Sequence, residues 1–231
     1  MQLLLSDNRV DPNIKDANGA TILMKKIKEN AMNCVLMLLN NSRVDPNIKD
    51  NNGNNPLLFA ATSKLDEFVD LLLTHDRLDP NVQNNDGETA LMIATMQNSA
   101  QSMESLIRDD RVDPNIQGNN GNTPLTFAVF VNDAERLQLL LSNRKLDSNV
   151  KDNQGWTPLM LAIRENASEC VYLLLDHPPM DPNIKNNNGD SALMHVVKHN
   201  KVEYLEILLA DPRVDISTRD NYMRNEEEVK R

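Results

Sequence analysis

Residues 43–54 read RVDPNIKDNNGN, and close variants of this phrase return along most of the chain. The copies begin 34 residues apart, as the step from Asp11 to Asp45 illustrates, and the glycine near the end of each copy keeps the same spacing. The phrase starts at Asp11, Asp45, Asp79, Asp113, Asp147, Asp181 and Asp215, and the glycines are Gly19, Gly53, Gly87, Gly121, Gly155 and Gly189. A fixed period of this length indicates a stacked array of repeats.

Each repeat combines three local patterns. Asn52-Gly53 after the extended stretch of the phrase favours a tight turn that needs a positive φ angle. Thr157-Pro158 is typical of a helix start, since threonine caps and proline suits the first turn. A second helix follows, with apolar residues at three- and four-residue spacing. One position in it is leucine in every repeat, namely Leu38, Leu72, Leu106, Leu140, Leu174 and Leu208.

Residues 152–162 (DNQGWTPLMLA), followed by a leucine-rich helix and the Asp-Pro-Asn phrase, resemble the ankyrin repeat. The resemblance covers nearly all of residues 1–220. It implies an all-α fold, an ankyrin-type solenoid of helix-turn-helix units with β-hairpin-like fingers and a 34-residue period. A tetratricopeptide array is disfavoured, because its Trp-Leu-Gly-Tyr pattern is missing. The chain departs from the family where the turn after the second helix is one residue longer and lacks the usual glycine.

The repeat pattern predicts one array over residues 1–220, followed by a charged tail at 221–231. The array consists of a half repeat at 1–10, six full repeats at 11–214 and a degraded repeat from 215. Met223 stands where that last repeat should have its turn glycine. We expect a monomer, although weakly capped ends leave end-to-end self-association open.

Charge and composition limit the classes of partner. The formal net charge is −10, which argues against nucleic acid or an anionic membrane as the main partner. The cluster of Lys25, Lys26 and Lys28 is interpreted as a solvated helix face. There is no secretion signal and no long apolar run, so we expect an intracellular, cytoplasmic protein.

Candidate chemical sites in the sequence are weak. The phrase is rich in carboxylate and amide oxygens, but Lys49 occupies a position where a calcium loop needs oxygen. We therefore interpret the phrase as scaffold, in which Asp and Asn side chains bond nearby backbone groups and tie one hairpin to the next. His195 and His199 have zinc-like spacing without a third ligand, and we expect His195 to pack and His199 to lie at the surface. Cys34 and Cys170 lie four repeats apart, too far for a disulfide. No catalytic motif occurs, so the sequence predicts no enzyme activity, no cofactor and no metal.

Binding residues are sought where one repeat differs from the others. The residue after the turn glycine is small or polar in five of the six repeats. In the remaining one, the fifth repeat along the chain, it is Trp156. The exposed end of the first helix carries further exceptions, and the predicted partner-binding set is Met96, Phe130, Val131, Trp156 and Arg164. Such residues are enriched in binding hot spots. The alternative is that Trp156 folds over its neighbouring hairpin and Phe130 packs between repeats.

The sequence therefore predicts a non-catalytic protein–protein interaction module that binds a protein partner through its hairpin tips and the concave face of its first helices. The alternative is a structural spacer within a larger protein whose activity lies elsewhere. Ser102 and Ser105 replace larger, mostly apolar residues in the second helix of repeat three. This substitution predicts a weak interface at that point of the array.

Overall fold

The computed structural model describes residue 7 and residues 9–217, and these form twelve α-helices in six pairs and no β-strand. The first helices of the pairs are α1 (Ile22–Lys28), α3 (Pro56–Thr62), α5 (Ala90–Gln97), α7 (Pro124–Phe130), α9 (Pro158–Arg164) and α11 (Ala192–Lys198). The second helices are α2 (Met32–Leu39), α4 (Asp66–Leu73), α6 (Ala100–Arg108), α8 (Ala134–Leu141), α10 (Ser168–Asp176) and α12 (Val202–Ala210). The predicted all-α repeat fold is confirmed.

The chain divides into two compact units, unit 1 (Met1–Asn119) and unit 2 (Asn120–Arg231). We number the repeats one to six, from residues 11–44 to residues 181–214. Helices α1–α6 belong to unit 1 and α7–α12 to unit 2. The tail at 221–231, Met223 and most of the half repeat at 1–10 lie outside the described residues. The extent of the single array stays a prediction.

Short polar side chains decide where the helices begin. In every first helix the preceding residue accepts a hydrogen bond from the backbone N–H three positions on, which satisfies a donor that the helix leaves unpaired. These caps are Thr21, Asn55, Thr89, Thr123, Thr157 and Ser191. Proline at the start of α3, α7 and α9 adds a fixed φ angle that suits the first turn. The predicted helix start at Thr157-Pro158 is confirmed.

The link between the two helices of each pair uses a left-handed residue. Its φ lies between 52° and 59° in all six repeats, at Asn30, Lys64, Asn98, Asn132, Asn166 and Asn200. Asparagine tolerates this conformation because its short side chain can bond nearby backbone groups. Lys64 is the one exception among these six positions.

Each finger closes through a tight turn that ends in glycine. In repeat two, Asp50 N–H donates to the Asn54 carbonyl at 2.8 Å, and the Asp50 carboxylate accepts from the N–H groups of Asn52 and Asn54. Gly53 has φ +81°, and a Cβ there would lie 2.6 Å from Asn85 Oδ1 in the next finger. Glycine is therefore required both by the turn and by the close approach of the neighbouring repeat.

The Asp-Pro-Asn phrase connects consecutive repeats. Asn47 Nδ2 donates to the Arg77 carbonyl at 2.7 Å, and Asn47 Oδ1 accepts from Asp79 N–H at 2.8 Å. Asp45 Oδ1 accepts from the Asn47 N–H at 2.9 Å. The fingers are tied in the same way, since Asn85 Nδ2 donates to the Asn51 carbonyl at 3.0 Å. The oxygens of the phrase thus hold backbone groups, as the scaffold interpretation of the sequence predicted.

Arginine occupies the longer turn that follows most second helices. Arg77 Nη1 donates to the Ser42 carbonyl at 2.8 Å, and Arg77 Nη2 donates to the Val44 carbonyl at 3.0 Å. Arg43, Arg111 and Arg213 make equivalent bonds to the repeat before them. These cations satisfy carbonyls near the carboxyl end of the preceding helix, where positive charge is favourable. The side chain stabilises a turn that lacks the usual glycine.

The core is aliphatic and continuous within each unit. The leucine that recurs in every second helix is fully buried in all six repeats.

The Cys170 thiol is buried, which raises its pKa to about 11, and Cys34 is half-buried. Both cysteines are free. The prediction that they form no disulfide with each other is confirmed.

The serine-rich helix α6 packs through polar bonds as well as apolar contacts. Ser102 is buried, and its hydroxyl, like that of Ser99, donates to the Asp66 carboxylate on α4. Ser105 Oγ donates to Asp70 Oδ1 at 2.5 Å. The predicted weakness of this interface rested on missing apolar burial alone. It stays a prediction, and these charge-assisted bonds oppose it.

Candidate interaction surface

The end of α7 exposes large apolar side chains in unit 2. Helix α7 buries Leu125, Ala128 and Val129, so the rotation of the helix turns Phe130 towards solvent. Phe130 is 60% exposed, and Val131, the C-cap, is 41% exposed. The alternative in which Phe130 is packed away between repeats is wrong. An exposed aromatic next to an exposed aliphatic side chain is a common feature of contact surfaces.

Phe130 and Arg164 line one groove of about 470 Å³ in unit 2. Phe127 and Leu161 contribute further apolar surface from α7 and α9. The finger residues around them carry amides and one carboxylate, at Asn120, Asn122, Asp152, Asn153 and Gln154. The groove thus combines aromatic surface, hydrogen-bonding amides and a guanidinium, which is a typical composition for a site that binds a peptide or a small molecule.

Trp156 is half-buried and has two ring neighbours. The Arg164 guanidinium carbon lies 5.1 Å from the centroid of the indole ring, within the range of a cation–π interaction. His195, from the next repeat, meets the indole in an edge arrangement with centroids 4.8 Å apart. Arg164 also pairs with Glu165, Nε to Oε1 at 2.7 Å. Trp156 therefore packs against side chains of two first helices, α9 and α11. The alternative that it folds over its neighbouring hairpin stays a prediction.

His195 is a buried, neutral ring at neutral pH. It is only 5% exposed, and its Nε2 atom has no hydrogen-bond partner among the described residues. Burial, together with the electrostatic influence of His199, Lys201 and Arg164, lowers the pKa of His195 to about 4. The sequence prediction that His195 packs while His199 lies at the surface is confirmed. The two rings lie 4.3 Å apart between centroids.

Unit 1 has a groove at the equivalent position with different chemistry. It encloses about 380 Å³ and is lined by Lys25, Lys28 and Phe59 together with finger residues. Lys25 pairs with Asp16 at 3.1 Å between Nζ and Oδ2. Lysines therefore stand where unit 2 has Phe127 and Phe130. Lys25 and Lys28 are exposed and Lys26 is half-buried, so the predicted solvated face is confirmed for two of its three lysines.

Four of the five predicted binding residues lie in unit 2, and Met96 lies in unit 1 at the end of α5 with 42% of its surface exposed. In unit 2 the structure joins Phe130 and Arg164 in the groove and places Trp156 on Arg164. Sequence reasoning missed Phe127 and Leu161. Their signal was weak, because apolar residues are common at that position of the repeat.

Within residue 7 and residues 9–217, no group of three or more His, Cys, Asp or Glu side chains is arranged to hold a metal ion. Among the helices of the same residues, none has the length and apolarity to cross a bilayer.

Comparison with known proteins gives a consistent result. A family model for ankyrin repeats (three copies) matches residues 1–83, 63–152 and 127–220. No curated protein matches the sequence significantly.

Solved structures resemble the chain over most of its length. The ankyrin repeat domain of Bcl-3, described as a unique member of the IkappaB protein family, is similar with a TM-score of 0.79 and 26% sequence identity. The match covers 89% of this chain and 91% of that domain. An ankyrin repeat domain from Acinetobacter baumannii AYE is similar with a TM-score of 0.71 and 21% identity, over 82% of this chain and 96% of that one.

Proposed function

This chain belongs to the ankyrin-repeat family, and on that premise we propose that it is a non-catalytic module that binds a protein partner through the first-helix and finger surface of unit 2. Ankyrin repeats are generally protein–protein interaction modules, and their fold is typically non-catalytic. The proposal concerns the particular residues and the kind of segment they bind. Repeat arrays of this type present extended binding surfaces, on which only the exposed residues differ from protein to protein.

The observation that carries the proposal is the exposed aromatic groove at α7 and α9. Phe130 is 60% exposed. The equivalent residue in repeat two is the small polar Thr62, so an aromatic side chain is not required at this repeat position. Removing apolar surface from water is favourable by about 25 cal/mol for each Å². A large exposed apolar side chain is therefore a place where a partner would be stabilised by covering it. Phe130 and Val131 therefore mark the place where a partner would gain most from desolvation.

The groove favours an extended segment with an apolar anchor. An aliphatic or aromatic side chain would enter between Phe130 and Leu161, while the amides of Asn122 and Gln154 bond the backbone of the segment. Arg164 Nε is bound to Glu165, so its Nη groups are the ones that would donate to an oxygen of the partner, and stacking on Trp156 holds the guanidinium in place. Met96 is proposed as a separate contact on unit 1.

Affinity purification with matched variants tests the proposal. Full-length chain, Phe130→Asp and Thr62→Asp would serve as baits in a cell extract, with bound proteins quantified by mass spectrometry. Phe130 and Thr62 occupy the same repeat position, so both changes add one charge at the end of a first helix. We expect at least one protein to be depleted about tenfold or more by Phe130→Asp and unchanged by Thr62→Asp, since anchors of this kind contribute about 2 kcal/mol or more.

The competing hypothesis is a spacer that holds another domain at a distance. It predicts that no protein is enriched on the wild-type bait in a manner that depends on Phe130. Identical sets of bound proteins on all three baits would therefore favour the spacer. The same experiment reports on nucleic acid, since treatment with nuclease should leave the captured set unchanged for an acidic chain of net charge −10.

We propose that the protein is cytoplasmic and is a monomer. Two free cysteines suit a reducing compartment. The high net negative charge of −10 opposes self-association through repulsion between copies. Sedimentation of the full chain at low and high salt would test the monomer, because salt screening would expose any tendency to associate.

A further inference from the structure

A second groove lies in unit 2, between the second helices of repeats five and six. It encloses about 900 Å³ and is lined by Tyr172 and Leu173 of α10 and by Ile207 and Ala210 of α12. Tyr172 is 57% exposed. None of its lining residues belongs to the groove at α7 and α9. It is therefore a separate surface, independent of the proposed function.

The equivalent interface in unit 1 is bridged by hydrogen bonds. Asp70, which corresponds to Tyr172, accepts from Ser105 Oγ at 2.5 Å and from Gln101 Nε2 at 2.8 Å. Ser105 corresponds to Ile207. The same scaffold position can thus be spanned by polar bridges between neighbouring helices. In unit 2 an aromatic ring and an isoleucine replace them and leave apolar surface in water.

The charges around this groove are mainly negative. Asp176 and Glu206 line it, both are exposed, and neither forms an ion pair within the described residues. Arg213 also lines the groove, but its guanidinium binds the Asp211 carboxylate at 2.6 Å and donates to the carbonyls of the preceding repeat. Arg213 also interacts at longer range with Asp176. With Asp176, Glu206 and Asp211 against this one arginine, the rim of the groove is net negative.

We infer that this groove binds a basic amphipathic helix of a partner protein. The two walls are helices of nine residues each, about 13 Å long, which matches about two and a half turns of a third helix. Apolar side chains at i, i+3, i+4 and i+7 of that helix contact Tyr172 and Ile207, as in other helix-in-groove complexes. Lysine or arginine on its flanks pairs with Asp176 and Glu206, and this charge complementarity selects a basic helix over an acidic one.

A display selection with a defined helical library tests this inference. The library fixes leucine at the i, i+3, i+4 and i+7 positions of a short peptide and varies the flanking positions between Lys, Gln and Glu. The full chain is the target. We expect enrichment of lysine at the flanks, and affinity of the selected peptide that falls as salt rises. Enrichment of glutamate, or no enrichment of any peptide, would overturn the inference.

Matched variants locate the bound peptide. Tyr172→Asp installs the residue found at Asp70, and we expect it to weaken the selected peptide about tenfold or more. Leu36→Asp makes the same kind of change at the same repeat position in unit 1, where Leu36 is 39% exposed, and should leave binding unchanged. Glu206→Lys is an exposed charge reversal that should weaken binding without affecting folding.

The outcome is separable from that of the proposed function. Phe130→Asp should leave the selected peptide bound with wild-type affinity, because Phe130 lines the other groove. Thermal unfolding of each variant checks that Tyr172→Asp is folded. Equal losses in Tyr172→Asp and Leu36→Asp, or binding that survives Glu206→Lys unchanged, would contradict the inference.

Discussion

The interface of α4 with α6 in unit 1 and that of α10 with α12 in unit 2 are built from equivalent positions with opposite chemistry. In unit 1 the Asp66 carboxylate accepts from the hydroxyls of Ser99 and Ser102. In unit 2 the corresponding contact is a neutral bond, with Ser168 Oγ 3.0 Å from the Tyr204 hydroxyl. The repeat fold thus tolerates either a carboxylate or a tyrosine in the contact between neighbouring second helices, because the buried leucines position the helices themselves.

The two solutions leave different surfaces. Hydrogen bonds between Asp70, Ser105 and Gln101 span the unit 1 interface. Tyr172 and Ile207 in unit 2 form no such bridge within the described residues and line an open groove instead. The comparison suggests that polar bonds between second helices stabilise the array, whereas apolar exceptions at the same positions provide binding surface.

The largest expected effect is on the buried polar bonds of unit 1. Asp66→Ala removes the acceptor of two hydroxyls, one of them on the buried Ser102, and should lower the free energy of unfolding by about 2–3 kcal/mol. Ser168→Ala, at the same repeat position in unit 2, removes one neutral bond and should cost about 1 kcal/mol. Urea unfolding followed by circular dichroism would measure both.

Hydrogen exchange shows which helices respond to these changes. Asp66→Ala should reduce protection of the amides in α6 more than in α1. In the wild-type chain, the serine-rich sequence of α6 predicts weaker protection than in other internal second helices. If α6 were instead the best protected of them, the charge-assisted bonds to α4 would outweigh the missing apolar burial.

The next-largest expected effect is the pH dependence of stability that His195 contributes in unit 2. Burial lowers the pKa of His195 from 6.5 to about 4, so the unfolded chain binds more protons than the folded chain between these values. Stability from this group is therefore complete above pH 6.5 and is lost as the pH falls towards 4. His195→Leu, which installs the residue found at Leu161, should remove about 1–2 kcal/mol of that pH dependence.

Unfolding of wild type and His195→Leu at several pH values between 4 and 7 would measure this difference. Carboxylates also titrate near the lower end of the range, so the informative quantity is the gap between the two proteins rather than either curve. A gap that stays constant over the range would contradict the buried, neutral state of His195.

The smallest expected effect concerns the left-handed links. All three links of unit 2 are asparagine, whereas unit 1 has Lys64 with φ 54°. Lys64→Asn should raise the free energy of unfolding by about 0.5 kcal/mol, because asparagine adopts this conformation at lower cost. Asn98→Lys is the reverse change in the same unit and should lower stability by a similar amount. Thermal or urea unfolding of both variants checks the sign, and a shared sign would contradict the explanation.

Local chemistry was readable from the sequence. The 34-residue period, the capping residues before the first helices, the turn glycines and the buried leucines all follow from patterns within one repeat. These features depend on backbone geometry and on amphipathic spacing, which neighbouring residues determine. The sequence also marked Phe130 and Val131 as apolar residues at positions that are mostly polar, but it left open whether Phe130 is exposed or packs between repeats, and only the structure decides this.

The tertiary structure decided which side chains meet across repeats. Trp156 looked like a free anchor, but it packs between Arg164 and His195, the second of which lies 39 positions further along the chain. Sequence comparison could align Tyr172 with Asp70 but could not reveal that Tyr172 lines a groove, whereas Asp70 is bridged to the neighbouring helix by hydrogen bonds. The physical reason is that burial and pairing depend on the neighbouring repeat, so partners about one period apart are fixed only when the repeats stack.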